Sequence, residues 1–431
     1  MPEPLRLGIA GLGTVGAGVL ILLLEQQNLL RQRCGRALQV TAVSSRDRSK
    51  QRGVALPSGA KWFDDARELA RSGDVDVVIE LIGGAEGIAR QVVETALAAG
   101  KHVVTANKAL LALHGSQLAA QAEKADRALC YEAAVGGGIP VIKAIREGLA
   151  ANRFERVYGI LNGTCNYILT KMENTGADFD KVLSEAQDLG YAEADPGFDV
   201  DGIDTAHKLS ILASLAYGAH VDFPAVYIEG IRHVGALDIQ FAREFGYRIK
   251  LLGLARRTVH GIEQRVHPCM TPLGSPISEV SGVTNAVVAV GNYAGQSVFE
   301  GPGAGAGPTA SAVMADIVDI ARNQILPPFA APSSQLERAP ASPMTLHQGA
   351  YYVRLTVLDQ PGVMAGITAI MAEHGVSIDS IIQRARAPGA GVPVVMITHE
   401  TEEARMNNVL AQLQALKQVI ETPVRIRIEK L

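Results

Sequence analysis

From Leu5 to Tyr131, short apolar runs alternate with longer stretches whose apolar positions recur every three or four residues. The short runs have the length of buried strands and the longer ones the period of helices covering them. The pattern predicts strands at Leu5–Ala10, Gln39–Ser44, Val75–Leu81, His102–Thr105 and Ala128–Glu132. Between them it predicts helices at Thr14–Leu30, Ala66–Ser72, Gly87–Ala99 and Ser116–Ala125. These connections are long enough for the right-handed crossovers that join parallel neighbours, so an α/β, doubly wound parallel sheet is expected over residues 1–134.

After Glu132 the texture changes. A long helix over Ile203–Tyr217 mixes with strand-like runs at Arg248–Ala255 and Ala286–Val290, which reads as an α+β domain over residues 135–325. Its last helix, near Thr309–Arg322, is a candidate to pack back on the first domain. Pro327, Pro328, Pro332, Ser333, Ser334, Pro340 and Pro343 then punctuate residues 326–348, expected to be a linker without regular structure. Beyond it, Tyr351–Leu358, Gly362–His374, Val376–Arg384, Val392–His399, Glu402–Leu416 and Val424–Ile428 read as strand, helix, strand, strand, helix, strand. That is the ferredoxin-like βαββαβ order, assigned to residues 349–431.

Composition narrows the function classes. A chain of 431 residues with 48% hydrophobic and 19% charged residues supports two or three globular cores. Its 40 basic and 44 acidic residues are interspersed, so it lacks the basic stripe that nucleic-acid backbones require. Cys34, Cys130, Cys165 and Cys269 lie far apart without paired metal-ligand spacing, which fits reduced thiols in a cytoplasmic protein. Val19–Leu24 is too short to span a membrane, and Met1–Leu7 leads into a strand instead of a signal peptide.

Gly11, Gly13 and Gly16 form G-x-G-x-x-G between the first strand and first helix, and Thr14 and Val15 open that helix. In this position the motif marks a Rossmann-type dinucleotide site: a tight turn, close backbone approach to the pyrophosphate, and a helix N-terminus facing the negative charge. An NAD enzyme usually carries an acid at the end of the second strand; here Ser44, Ser45 and Arg46 stand there. Arg46, with Arg48 and Lys50 nearby, suits the 2′-phosphate of NADP, although Asp47 interrupts the patch. A solvated polar loop is the plainer reading, and NAD stays open.

Asp204 and Lys208 stand four apart on the predicted helix Ile203–Tyr217 and share one face, as a surface ion pair also would. Lys108 follows the strand ending at Thr105, at the carboxyl edge of the sheet where such folds bind ligands. Ordered segments around these positions, Val104–Lys108, Tyr131–Pro140, Leu161–Ile168, Gly190–Pro196, Gly202–Lys208 and Gly301–Gly305, are similar to homoserine dehydrogenase. Leu358–Met364, with its Asp359-Gln360-Pro361-Gly362 turn, resembles the opening of an ACT domain. The resemblance spans almost the whole chain and contains no aspartate kinase segment, so it is to the monofunctional enzymes with a C-terminal ACT domain.

The resemblance implies interconversion of L-homoserine and L-aspartate 4-semialdehyde. It implies Lys208 as the acid–base group at the substrate oxygen, Asp204 as its orienting partner, and Glu193 and Asp199 on the substrate. Lys108 is then placed between cofactor and substrate, and Thr105 and Gly303 against the cofactor. Glu132, Val135, Gly137 and Ile139 match the family's monovalent-cation site, which holds sodium. Threonine is the implied effector of the last domain, a homodimer or homotetramer the implied assembly, and deletion after the linker is expected to spare catalysis. Two other readings stand beside this one: a catalytically silent amino-acid sensor, against which the set Lys108, Glu193, Asp204 and Lys208 argues, and a related dehydrogenase with another substrate.

Overall fold

A computed structural model describes residues 2–384 and 390–431. In the N-terminal region, β1 (Leu5–Ala10), α1 (Thr14–Glu25), α2 (Gln27–Cys34), β2 (Leu38–Ser44), β3 (Lys61–Phe63), α3 (Ala66–Arg71), β4 (Val77–Glu80), α4 (Ile88–Ala98), β5 (His102–Thr105), α5 (Lys108–Lys124) and β6 (Leu129–Cys130) follow in order. The six strands are parallel in the order β3-β2-β1-β4-β5-β6, the doubly wound arrangement expected.

Three local expectations are corrected, and one short strand is added. The first helix breaks at Gln26, within a run of polar residues, into α1 and α2. The fourth begins at Lys108 instead of Ser116, because the Asn107 side chain caps the Leu110 N–H. Strand β6 ends early, as Glu132–Ala134 turns into a 3₁₀ helix. Strand β3 is too short to leave a periodic signal.

The second region carries α6 (Val141–Lys143), β7 (Phe154–Ile160), α7 (Gly163–Thr175), α8 (Phe179–Asp188), α9 (Gly197–Val200), α10 (Ile203–Tyr217), β8 (Tyr227–Ile228), α11 (Ala236–Glu244), β9 (Tyr247–Thr258), β10 (Gly261–Pro272), α12 (Pro276–Glu279), β11 (Thr284–Gly291), β12 (Gly295–Pro302) and α13 (Ala306–Ala321). Helix α13 does return to the first core, where Ala310, Val313 and Ile317 pack with Leu7, Ile9 and Val19.

The C-terminal region contains β13 (Gln348–Leu358), α14 (Val363–Glu373), β14 (Ile378–Ile382), β15 (Gly391–Thr398), β16 (Thr401–Glu402), α15 (Glu403–Ala415) and β17 (Val424–Ile428). It is no separate bead. Strand β17 lies between β13 and β10, so the second and third regions share one eleven-stranded sheet, β12-β11-β7-β9-β10-β17-β13-β15-β14, with β8 and β16 alongside.

The proline-rich stretch is also tied down. Phe329 is buried against Gly115 and Tyr131, whose hydroxyl donates to the Pro328 carbonyl. The Ser333 hydroxyl and N–H meet Glu123, and Pro340 accepts from the Ile262 N–H. Proline removes donors but leaves carbonyls and neighbouring amides free to bond to the surface beneath, so this linker is a fixed strap. Among the described residues no helix is long and apolar enough to cross a membrane.

Candidate active site

Helix α10 is buried along most of its length, including Asp204, His207 and Lys208. A charge removed from water is costly unless paired and hydrogen-bonded. Here the Lys208 ammonium donates to Asp204 Oδ2 and to the Leu161 carbonyl, both at 2.7 Å. On the other carboxylate oxygen, Asp204 Oδ1 stands 2.8 Å from Lys108 Nζ. Asn162, which caps α7 by accepting the Cys165 N–H, donates from Nδ2 to Asp204 Oδ2 at 2.9 Å and to Asp199 Oδ1 at 2.7 Å. One buried carboxylate thus sits between two ammonium groups, one from each of the first two regions.

Burial pulls the Lys208 ammonium below the ordinary lysine range, aided by Lys108 and opposed by Asp204. Against the penalty of burial, Lys208 and Lys108 hold Asp204 well below the carboxylate range. Burial raises Asp199. Lys108 is the accessible ammonium, with 34% of its side chain exposed against 10% for Lys208. Its other face meets the Phe198 ring at 5.6 Å, and Phe198, His207 and Phe223 stack in sequence behind it. The arrangement holds a proton-carrying amine at the junction of the first two regions, beside acids able to receive a ligand's ammonium.

The glycine turn opens a cavity of about 620 Å³ whose lining includes Gly11, Gly13, Ser44, Arg46 and Lys50. Gly11 has φ +108°, and a Cβ there would stand 2.5 Å from the Leu81 carbonyl oxygen, so the turn admits only glycine. Thr14 and Val15 are the first residues of α1. Asp47 also lines the cavity, but its carboxylate turns back to accept the Ser49 N–H and hydroxyl and the Lys50 N–H.

Three more of the expected site residues have these surroundings. Thr105 is fully buried and its hydroxyl donates to Glu80 Oε2 at 2.6 Å, so it shapes the groove from within. Gly303 packs against Gly137 and the Asn285 side chain, apart from the residues lining the cavity. Glu193 sits on the exposed segment between α8 and α9, and its carboxylate has no hydrogen-bond or ionic partner among the described residues.

Around the expected cation loop, Gly136 and Gly137 have φ of +78° and +56°. Among the described residues no backbone N–H reaches the Val135 or Gly137 carbonyl, whereas the Ile139 carbonyl accepts from Val141. Glu132 spends its carboxylate on the Ile142 and Lys143 amides. Burial pushes Glu132 up to about 7 and the adjacent Asp316 up to about 6.

Sequence reasoning missed the residues that organise this site from behind. Asn162 bridges two acids, and its signal was an N-cap asparagine just before a helix. Glu80, fully buried, accepts the Ile82 and Gly83 amides as well as Thr105, and Asn107 donates to the Gly84 carbonyl, joining the groove's loops to the start of α5. A charged residue ending an otherwise apolar strand was the available sign.

Residues 11–132 match the family described as homoserine dehydrogenase, NAD binding domain; residues 140–318 match homoserine dehydrogenase, and 351–418 the ACT domain. The chain is 45% identical to the homoserine dehydrogenase of Pseudomonas aeruginosa, with all of both chains covered. It is 44% identical to a homoserine dehydrogenase structure from Thiobacillus denitrificans, at TM-score 0.93 over 99% of this chain and 98% of that one. A hyperthermophilic archaeal homoserine dehydrogenase in complex with NADPH is 26% identical at TM-score 0.64, over 75% of this chain and 98% of that one.

Proposed function

The chain belongs to the homoserine dehydrogenase family and is an oxidoreductase acting on the CH–OH group of homoserine, and from that premise we propose how its residues carry the reaction and its regulation. The reaction is the interconversion of L-homoserine and L-aspartate 4-semialdehyde in cytoplasmic threonine, methionine and isoleucine biosynthesis, with NADP(H) preferred over NAD(H). A bound nicotinamide supplies or accepts the hydride. The observation that carries the reading is Asp204 clamped between Lys208 and Lys108.

In the reducing direction Lys208 polarises the aldehyde oxygen and donates the proton that completes the alcohol; in the oxidising direction its neutral amine takes that proton back. Burial, by lowering the lysine's proton affinity, suits it to both. Asp204 fixes the ammonium's direction. Lys108, at the first turn of α5, positions cofactor and substrate together. Asp199 and the unpaired Glu193 receive the substrate's ammonium.

Arg46, Ser45 and Lys50 line the cavity beside the glycine turn and would hold a 2′-phosphate, and the use of the Asp47 carboxylate on Ser49 and Lys50 supports this reading. A sodium ion would be held by the loop of Glu132, Val135, Gly137 and Ile139: the Val135 and Gly137 carbonyls have no backbone N–H partner among the described residues, and the buried acids Glu132 and Asp316 lie beside them. Threonine acts on the ACT region as feedback inhibitor, in a homodimer or homotetramer. NADPH oxidation by aspartate semialdehyde, against NADH and with and without threonine, tests the site, the cofactor preference and the feedback. No turnover rejects the site reading, equal use of both cofactors rejects the NADP preference, and absent threonine binding by calorimetry with an unchanged rate rejects the feedback.

A further inference from the structure

Strand β17 brings Arg427 opposite Cys269 of β10, and its guanidinium is fully buried. It donates to Glu403 at the start of α15 at 2.6 and 3.0 Å, and to Glu229 Oε2 of the second region at 2.9 Å. The Tyr227 hydroxyl closes the group, accepting from Arg427 at 3.1 Å and donating to Glu229 Oε2 at 2.8 Å. Arg425 reaches the same two acids, at 2.7 Å from Glu403 and 3.7 Å from Glu229. With the Tyr351 hydroxyl donating to Glu403 at 2.9 Å and His233 Nε2 3.2 Å from Glu229, seven charged, imidazole or phenolic side chains from two regions share one knot.

The segment after Glu229 runs directly under the substrate-side acid. The Glu229 N–H donates to the Val266 carbonyl at 2.8 Å, and two residues on the Ile231 N–H donates to the Val200 carbonyl at 2.9 Å. Between them Gly230 lies so close to α9 that a Cβ would stand 2.3 Å from the Val200 oxygen and 2.6 Å from Asp201 Cα. Arg232 then clasps Asp201 at 2.5 Å. Val200 and Asp201 directly follow Phe198, against which Lys108 rests, and Asp199, which Asn162 ties to Asp204.

We infer that Arg427 and Glu229 are positioning residues for substrate binding: the strap Tyr227–Arg232 fixes α9, and with it Asp199, to the C-terminal strand. The substrate half of the site is thus braced by a residue of the ACT region. A displacement of β17 or α15 would reach α9 through the Arg427–Glu229 side-chain pair and then the backbone contacts of Gly230 and Ile231 with Val200. The inference rests on the assignment of Asp199 to the substrate.

The experiment is steady-state kinetics on the full-length enzyme with Glu229→Gln and Tyr227→Phe, with Arg384→Ala as control, since Arg384 pairs with Glu244 at the surface away from the strap. The expected result is a homoserine KM raised about 3- to 30-fold by Glu229→Gln and less by Tyr227→Phe, from the coupling that such networks carry. Turnover should stay within about twofold and cofactor Kd should be unchanged, since neither residue touches the reacting atoms. Exchange of the Ile231 amide should quicken. Folded variants with wild-type KM, even with lowered melting temperature, overturn the inference; if Glu229→Gln does not fold, Tyr227→Phe decides it alone. Asp199→Asn separates the two levels: unchanged KM there refutes the substrate assignment, whereas raised KM there with normal KM in the strap variants refutes only the brace.

Discussion

Replacing Asp204 with Asn removes one negative charge while keeping the shape and one accepting oxygen. Lys208 loses the main influence that holds its proton against burial, and Lys108 still pushes in the same downward direction. Two unit charges 2.7 Å apart at an effective dielectric constant of about 20 attract by about 6 kcal/mol, which is a ceiling. The real charge is spread over two oxygens and shared with Lys108 and Asn162, so about a third of that, ~2 kcal/mol, is the fair share for Lys208. At 1.36 kcal/mol per unit this is a fall of about 1.5 units in the Lys208 pKa. Reduction of the semialdehyde needs the protonated lysine, so the alkaline limb of its pH profile should move to lower pH by about that amount. The assay is kcat/KM for NADPH-driven reduction across the pH range, wild type against Asp204→Asn. A limb that stays in place, or moves to higher pH, refutes the electrostatic role given to Asp204.

Lys208→Ala should cost about 10²–10⁴-fold in turnover, the usual share of an acid–base group, with NADPH Kd by fluorescence nearly unchanged; near-normal turnover would falsify the assignment. Arg46→Asp should shift the kcat/KM ratio from NADP towards NAD, because it replaces a phosphate partner with an acid suited to a free ribose hydroxyl, and an unaltered ratio counts against it. Gly137→Ala places a Cβ 2.3 Å from the Gly303 carbonyl oxygen at φ +56°. It should abolish any rise in melting temperature caused by sodium over choline chloride; a variant stabilised like the wild type removes the loop as the ion's site. Deleting residues 349–431 should destabilise the enzyme instead of sparing it, since Asp238 loses Tyr352 and Arg354 and Glu229 loses Arg425 and Arg427. A buried charge stripped of its partner costs about 3–5 kcal/mol, and a truncated chain that melts like the intact one would sink this prediction.

The first region was readable because its signals are local. Leu5–Ala10 and His102–Thr105 carry apolar runs whose ends the structure reproduces residue for residue, and the glycine turn after β1 sets where α1 starts. The four-residue spacing of Asp204 and Lys208 was legible for the same reason. What failed were features created by distant partners. The hold of Glu80, 25 positions earlier, on the Thr105 hydroxyl left no sign in the sequence. Prolines at 327–343 read as a loose tether because nothing in the sequence indicates Gly115, Glu123 or Ile262 waiting beneath them. Nor could hydropathy reveal that Val424–Ile428 would leave its own βαββαβ unit on one side to join Gly261–Pro272 on the other.

That shared strand imposes a timetable on biosynthesis. Strand β10 leaves the ribosome well before β17, whose Arg427 pairs opposite Cys269. At about 5–20 residues per second the wait is roughly 8–30 s, long compared with the collapse of a domain. During it the catalytic sheet presents an open edge, and Glu229 lacks its two arginine partners, the kind of template that invites pairing with another chain. The nascent enzyme therefore depends on shielding of that edge until its final strand arrives, and slow translation of the last domain should favour aggregation of an otherwise correctly built catalytic unit.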